Sequence, residues 1–282
     1  MSAMAVNQDP RVASDYQPGC SRIIRQTCLE IATRLGDFRD QMCIVGGLVP
    51  YLIIDQSNLH DDEPHVGTID LDIGFSIVIL DDQLYEAIAQ RLSEAGFKPD
   101  TNDKGNPTAQ RWRSSHGITV DFLIQPTTEA DRGGRLRHID DRFAAFIIPG
   151  LDLAFQDSVT VTIDDTLPEG AKARREIQVC GPSAFTVLKA LAFDKRGKAK
   201  DAYDLYYVIR HHPLGPEKIG QRIRQFGENA HALEAMSILQ RDFTEPDHVG
   251  PARVAEFLGG PDDNLQADVA GFARLVIESA TR

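Results

Sequence analysis

The sequence has few cysteines, no long apolar run and a deficit of positive charge. Its four cysteines, among 282 residues, include no C-x-x-C pair, so the sequence indicates neither a disulfide framework nor a zinc knuckle. No apolar stretch approaches the roughly 20 residues that span a bilayer, and the N-terminus lacks a basic segment followed by an apolar one. We therefore expect a cytoplasmic protein with reduced thiols, no export sequence and no membrane partner.

Acidic side chains outnumber basic ones, 42 to 30, and the formal net charge is −12. This charge argues against broad, non-specific binding of nucleic acid, which needs a positive surface. A local basic patch is still compatible with it, because basic residues cluster in two stretches. Such stretches are usually solvated turns, and the alternative is contact with RNA phosphates. The basic residues concerned are Arg132, Arg135, Arg137, Lys195, Arg196, Lys198 and Lys200.

The composition, 42% hydrophobic and 26% charged residues, is that of a globular protein, and the length allows one large domain or two modest ones. Residues 1–19 are expected to form a flexible leader. Short strand-like runs alternate with helical patterns up to residue 180, and the pattern after that residue is mostly helical. Within the first part, the charged segments 132–142 and 169–175 are expected to be loops. We therefore predict an α+β core over residues 20–180 and a helical C-terminal domain over residues 181–282.

One stretch, residues 67–75 (GTIDLDIGF), carries two carboxylates inside an apolar run that is typical of a strand, and we expect the strand to run on to about Leu80. Side chains alternate across a strand, so Asp70 and Asp72 point to one face while Leu71 and Ile73 point to the other. Two acidic side chains on one apolar strand repel each other and resist burial. A solvated edge strand is the ordinary explanation. The alternative is a divalent cation between the carboxylates, and hard oxygen ligands suit Mg²⁺.

A hairpin pattern predicts another strand with a third carboxylate. Residues 110–114 and 118–124 flank the turn Ser115-His116-Gly117, and the second of these segments contains Asp121 among apolar residues. If this strand and the strand of Asp72 are neighbours in one sheet, the three acids converge on one or two metal ions. The sequence thus predicts a carboxylate cluster built from two separate strands.

A glycine pair, a lysine and a further aspartate complete the set of candidate residues. Gly46-Gly47 separate a short apolar run from a helical segment, an arrangement that brings backbone amides close to phosphate. Lys189 lies beside the apolar stripe of its helix, where it either extends to the surface or meets an anion. Asp201 and Asp204 lie three residues apart in the next helical segment. Helix capping explains Asp201, and we expect Asp204, between apolar and aromatic neighbours, to belong to the site.

Together these residues resemble the nucleotidyltransferase fold shared with DNA polymerase beta. The resemblance rests on Gly46-Gly47 before a helix, on Thr68-x-Asp70-x-Asp72 and on the later strand acid Asp121. In addition, Ser183-x5-Lys189-Ala190-Leu191-Ala192 and residues 196–205 resemble the AbiEii toxin branch, in which a lysine helix precedes a basic turn and an Asp-containing helix. The resemblance implies a small mixed sheet flanked by helices, followed by a mainly helical C-terminal region.

The resemblance also implies roles for particular residues. The expected ligands of Mg²⁺ are Asp70, Asp72 and Asp121. The expected nucleotide contacts are Gly46, Gly47, Thr68 and Lys189. Asp121 would either bind metal or act as the base towards the acceptor hydroxyl. Lys189 and Asp204 join the three aspartates as expected catalytic residues, and Asp204 would either orient Lys189 or reach the acceptor.

The function that follows is Mg²⁺-dependent transfer of a nucleotide from an NTP to an acceptor. The AbiEii resemblance favours RNA, in particular a tRNA end, and implies a cognate antitoxin in a toxin–antitoxin or phage-defence system. One alternative is a partner-binding protein that has lost turnover, suggested by the acidic charge and by Gly67, where many relatives have an arginine just before Thr68. Another is transfer to a protein or to a small molecule such as an aminoglycoside, because a fold does not fix its acceptor.

Overall fold

The structure is a computed structural model that describes residues 10–17, 19–59, 64–76, 82–102, 104–138, 143–167 and 169–281. These residues form two compact units. Unit 1 comprises Gly19–Val49 and Thr68–Cys180, and unit 2 comprises Pro50–Gly67, Gly181–Arg282 and residues 10–17. Pro50–Gly67 therefore interrupts unit 1 along the chain and belongs to the same unit as the C-terminal helices. Residues 1–9 and 18 of the expected leader lie outside the described residues.

Unit 1 is built on a mixed β-sheet with helices. Its strands are β1 (Met42–Val45), β2 (Asp70–Phe75), β3 (Lys98–Thr101), β4 (Pro107–Arg113), β5 (Thr119–Ile124), β6 (Leu136–His138), β7 (Ala144–Ile147), β8 (Ser158–Thr166) and β9 (Lys172–Cys180). The first helices of the chain are α1 (Cys20–Arg34), α2 (Val49–Ile53), α3 (Asp82–Glu94) and α4 (Asp152–Gln156). Of these, α2 begins at the last residue before the chain passes into unit 2.

The strand order places β2 and β5 side by side at the centre of the sheet. The order is β3-β4-β5-β2-β1-β9-β8, and β7 pairs with both β5 and β6. β2 and β5 are parallel, whereas β1 is antiparallel to β2 and parallel to β9. β2 covers one edge of β5 along its whole length, so β4 and β7 share the other edge. The mixed sheet with flanking helices that the sequence predicts is confirmed.

One face of β2 and β5 belongs to the hydrophobic core. Leu71, Ile73 and Phe75 on β2 and Val120 and Phe122 on β5 are at most 1% exposed. The rings of Phe75 and Phe122 are stacked, with centroids 5.3 Å apart. Because side chains alternate along each strand, burial of this face turns the aspartates of both strands to the opposite face.

Unit 2 is helical, as the sequence predicts. Its long helices are α5 (Pro182–Arg196), α6 (Ala199–His211), α7 (Gly215–Gln225), α8 (Ala230–Asp242), α9 (Val249–Leu258) and α10 (Asp263–Thr281). α5 packs against α6 and α8, α6 against α9, and α7 against α10. Among the helices described in either unit, none has both the length and the apolar character needed to cross a bilayer.

A charged segment that the sequence patterns indicate as a loop is a strand in the structure. The expected loop covers residues 169–175, but β9 begins at Lys172 and pairs with β8 along its whole length. In this pairing Arg174 lies opposite Asp164. The prediction was wrong because it relied on apolar alternation, whereas this end of the hairpin is held by the backbone pairing of β8 with β9.

Two other predicted segments differ from the structure or extend beyond it. The expected loop over residues 132–142 contains the short strand β6, which pairs with β7, and its residues 139–142 lie outside the described residues. The strand of the paired aspartates was predicted to reach Leu80. In the structure β2 ends at Phe75, and residues 77–80 again lie outside the described part of the chain. Neither difference alters the position of the carboxylates.

Candidate active site

Three carboxylates converge on one face of the sheet in unit 1. Asp72 on β2 lies directly opposite Asp121 on β5, and Asp70 lies two residues before Asp72 on the same face. Carboxylate oxygens of the three side chains lie within 4.8 Å of one another. The convergence predicted from strand alternation is therefore confirmed. The metal-binding role that would follow from it stays a prediction.

The three carboxylates have different surroundings. Asp121 is buried, whereas Asp70 and Asp72 are partly exposed. Burial raises the pKa of Asp121, and the negative charge of Asp70 adds to this effect, although hydrogen bonds from Arg111 act in the opposite direction. A carboxylate in this position needs a nearby positive charge in order to remain ionised at neutral pH.

Arg111 supplies such a charge, and no sequence pattern marked it as a site residue. Its Nε donates to Oδ1 of Asp121 at 2.7 Å, and its Nη2 donates to Oδ2 at 2.5 Å. Arg111 lies on β4 directly opposite Asp121 in the antiparallel pairing. The hairpin pattern could have revealed this pair, because the turn that joins β4 to β5 sets which residues face each other.

The glycine pair makes room for side chains of the site. A Cβ atom on Gly46 would lie 1.9 Å from Oδ2 of Asp72, and the φ angle of Gly46 is +71°. A Cβ atom on Gly47 would lie 2.6 Å from Oγ1 of Thr68. Any larger residue would displace Asp72 or Thr68, so the structure gives these glycines a packing reason that the sequence did not show. Their expected contact with nucleotide stays a prediction.

Thr68 holds one of the carboxylates in position. Its Oγ1 donates a hydrogen bond of 2.8 Å to Oδ1 of Asp70, and the residue is buried. Gly47 is the residue against which the Thr68 side chain packs. Gly47 thus positions Thr68, and Thr68 in turn holds the carboxylate of Asp70 on the face that strand alternation gives it.

The other two expected site residues, Lys189 and Asp204, lie in a buried charge cluster of unit 2. Nζ of Lys189 donates to Oδ2 of Asp204 at 2.7 Å and to Oδ1 of Asp201 at 3.0 Å. Burial alone would lower the pKa of Lys189, but the two carboxylates hold it above its ordinary value. The predicted pairing of Asp204 with Lys189 is thus present in the structure, and the catalytic roles of both residues stay a prediction.

Asp201 does not act as the solvated helix cap that the sequence suggested. It is 1% exposed and binds Lys189. Arg196 also donates to both of its oxygens, with Nε–Oδ2 and Nη2–Oδ1 distances of 2.6 and 2.7 Å. The capping interpretation was wrong because α5 packs against α6. This packing brings the two basic residues of α5, Lys189 and Arg196, against the side chain of Asp201.

His65 completes this cluster, and no sequence pattern marked it. Its Nε2 lies 2.8 Å from Oδ1 of Asp204, a residue 139 positions further along the chain. The backbone N–H of Gly67 donates to Nδ1 at 3.1 Å, so Nδ1 is an acceptor and Nε2 carries the proton. The ring also stacks on Tyr203. Burial, followed by the positive charge of Lys200, lowers the pKa of His65 to about 4.

The basic stretches are less available than the sequence suggests. Lys200 is largely buried and pairs with Asp204, and burial lowers its pKa. Arg137, on β6, pairs with Asp131 in the segment before this strand. These two residues are therefore engaged inside the protein. The exposed basic residues of the two stretches include Arg132, Arg135, Lys195 and Lys198.

Comparison with known proteins agrees with the carboxylate geometry. A nucleotidyltransferase family model, NTP_transf_8, matches residues 26–209. The match covers the three converging aspartates as well as Lys189 and Asp204, and it spans about two thirds of the 282 residues. The comparison with curated proteins returned no match. On the strength of the family match, the chain is a transferase that belongs to this nucleotidyltransferase family.

Proposed function

We propose that the protein uses Mg²⁺ to transfer a nucleotide from an NTP to RNA, with a tRNA end as the acceptor. The observation that carries this proposal is the convergence of three carboxylates, from two adjacent parallel strands, in a member of a nucleotidyltransferase family. Three carboxylates this close repel one another, Arg111 offsets part of that repulsion, and a nucleotide substrate brings both phosphates and a need for metal.

The donor set fits Mg²⁺. All three groups are hard oxygen ligands, and Asp70 and Asp72 are accessible to solvent, so an ion can enter and retain water. When bound, the metal would neutralise charge on the phosphates and lower the pKa of the acceptor hydroxyl. The residues that we propose to hold it are Asp70, Asp72 and Asp121.

Surrounding residues would position the reactants. Thr68 holds Asp70 in place through its hydroxyl, and the absence of side chains at Gly46 and Gly47 keeps Asp72 and Thr68 close to the backbone. We assign the nucleotide phosphates to this glycine turn, whose backbone amides are suitable donors. The positioning is rigid because every contact joins residues of, or next to, the central strands.

We also assign roles to the charge cluster of unit 2. Nζ of Lys189 donates to two carboxylates, and nucleotide binding by Lys189 is proposed from the resemblance of its helix to the AbiEii branch. Asp204 would act as the positioning residue, because it binds Lys189 on one side and His65 on the other.

The first experiment measures transfer of label from an α-³²P-labelled NTP to total RNA in the presence of Mg²⁺. The wild-type protein should label RNA, and Asp72→Ala should reduce the labelling to background. Asp164→Ala is the matched control, because it removes the same charge from an exposed position of the same sheet, and it should label RNA like the wild type. Equal labelling by wild type and Asp72→Ala would exclude the proposed role of the cluster.

A second experiment identifies the acceptor. Purified tRNA is labelled before and after periodate oxidation, which destroys the terminal ribose diol. We expect oxidation to abolish labelling, because the acceptor is a hydroxyl at the tRNA end. Label that resists ribonuclease and is removed by protease would instead identify a protein acceptor and refute the RNA part of the proposal.

The toxin role is the most specific part of the proposal. We infer an AbiEii-like protein that acts in the cytoplasm, where tRNA and NTP are available, and that is neutralised by a cognate antitoxin. Induced expression of the wild type should then arrest bacterial growth, and Asp72→Ala should not. Normal growth on expression of a protein that labels tRNA in vitro would contradict the toxin role and leave the transferase activity standing.

A further inference from the structure

The guanidinium of Arg111 occupies both oxygens of a carboxylate that the proposed function assigns to the metal. The strand pairing places Arg111 opposite Asp121, and two hydrogen bonds of 2.7 and 2.5 Å join the side chains. The two ends of this pair differ in access to solvent. The side chain of Asp121 is 7% exposed, whereas that of Arg111 is 41% exposed. The arginine therefore borders solvent into which it could move, whereas the aspartate is enclosed.

Arg111 interacts with the whole cluster and not with Asp121 alone. Its pKa is raised by the hydrogen bonds to Asp121, and further by the negative charges of Asp121, Asp70 and Asp72. A positive charge in this position offsets the mutual repulsion of three carboxylates whose oxygens lie within 4.8 Å of one another. Arg111 thus does for the cluster what a bound cation would do.

We propose that a divalent cation displaces Arg111 from Asp121 and that the released guanidinium then binds a phosphate group of the NTP. This inference rests on the proposed function, since the cation and the NTP are those of the transfer reaction. A cation and a guanidinium on the same carboxylate repel each other, so they compete for it. The planar fork of arginine fits two oxygens of a phosphate as well as it fits two oxygens of a carboxylate.

The exchange predicts opposite effects of one substitution. Arg111→Gln removes the competitor of the cation, so cation affinity without nucleotide should increase about tenfold, the order expected for one charge removed beside a partly exposed ion site. The same change removes a phosphate ligand, so affinity for NTP at saturating cation should fall about tenfold. A residue that merely supported the fold would weaken both.

The control for Arg111 lies two residues away on the same strand. Arg113 also forms a two-bond pair, with Nε–Oδ1 and Nη2–Oδ2 distances to Asp100 of 2.8 and 2.9 Å, and its side chain is 37% exposed. Its partner is not one of the three clustered carboxylates. Arg113→Gln therefore changes the net charge equally and should leave both affinities within about twofold of wild type.

The measurements use the full chain. Binding of Mn²⁺ without nucleotide is followed by electron paramagnetic resonance, and binding of a non-hydrolysable NTP at saturating Mn²⁺ is followed by calorimetry. Adding Asp72→Asn to Arg111→Gln should abolish the tighter Mn²⁺ binding, which locates it at the cluster. Unchanged or weaker Mn²⁺ binding in Arg111→Gln would overturn the exchange, and so would unchanged NTP binding.

A second variant, and a comparison of the binding results with RNA labelling, separate the exchange proposal from the transferase proposal. If Arg111→Gln does not fold, Arg111→Lys is used. It keeps the charge but lacks the fork, so Mn²⁺ should bind more tightly than in wild type and NTP more weakly, each by a smaller factor. RNA labelling with unchanged Mn²⁺ affinity in Arg111→Gln would refute the exchange and leave the transferase proposal standing. Tighter Mn²⁺ binding and weaker NTP binding without any RNA labelling would support the exchange and refute RNA as the acceptor.

Discussion

Replacing His65 with glutamine should flatten the pH dependence of unfolding between pH 5 and pH 6.5. The ring of His65 is fully buried, and its pKa is lowered to about 4 in the folded protein, first by burial and then by the charge of Lys200. In the unfolded chain the same group titrates near its ordinary value of about 6.5. The two states therefore bind different numbers of protons in this range.

The sign follows from which state takes up the proton first. As the pH falls below about 6.5, the unfolded chain is protonated at His65 while the folded protein is not, so protons favour unfolding. The contribution of His65 is complete above this range and is lost as the pH falls towards 4. The loss amounts to about 3 kcal/mol in total, or about 1.4 kcal/mol per pH unit on the steep part.

Urea unfolding at closely spaced pH values measures this slope. Glutamine is a suitable replacement, because its side-chain amide can still donate to Asp204 but does not titrate. His212→Gln is a companion variant, because the pKa of His212 is also lowered to about 4, by burial and by the charge of Arg222. We expect His212→Gln to remove a similar part of the slope.

The comparison of variants with wild type isolates His65, because all other titrating groups are common to both. A slope that is unchanged in His65→Gln, or one that becomes steeper, would show that His65 titrates in the folded protein near its ordinary pKa. That result would refute the hydrogen-bond assignment in which Nδ1 accepts from Gly67 and Nε2 donates to Asp204.

Two further predictions concern single residues in each unit. Gly46→Ala and Gly105→Ala both place a side chain at a positive φ angle, +71° and +78°. Gly105→Ala should lower the free energy of unfolding by about 1–2 kcal/mol in urea titrations, and Gly46→Ala by at least as much. Only Gly46→Ala should also abolish RNA labelling, because its Cβ collides with Asp72; full activity would contradict this. Asp204→Asn removes the carboxylate that pairs with Lys200 and leaves Lys189 with Asp201 alone, so it should cost about 3–5 kcal/mol in the same assay. Asp268→Asn, which breaks a more exposed pair, should cost at most about 1 kcal/mol, and equal losses would refute the argument.

The sequence was sufficient for the parts of the site that depend on local periodicity. Alternation along β2 placed Asp70 and Asp72 on one face, and the hairpin pattern placed Asp121 on a strand. The step from two strands to one cluster needed the additional assumption that β2 and β5 are neighbours. A family resemblance supplied that assumption, because strand order is a long-range property that no local pattern contains.

The parts that sequence patterns did not reveal depend on contacts between distant residues. His65 lies in a polar segment, and its partner Asp204 is 139 positions away. Asp201 and Asp204 look alike in sequence, at the start of one helix, but both are buried by packing that the helical pattern does not specify. Lys200 looked like part of a solvated turn for the same reason. Charge patterns alone do not distinguish a buried pair from an exposed one.

The register between β2 and β5 determines what a misfolded form of the sheet would look like. If β5 shifted by one residue, Asp121 would enter the hydrophobic core and Phe122 would face solvent. The misaligned chain would thus bury an acid, expose an aromatic ring and lose the cluster in a single event. A well-packed form with slipped strands is therefore strongly disfavoured, and the carboxylate cluster forms together with the hydrophobic core.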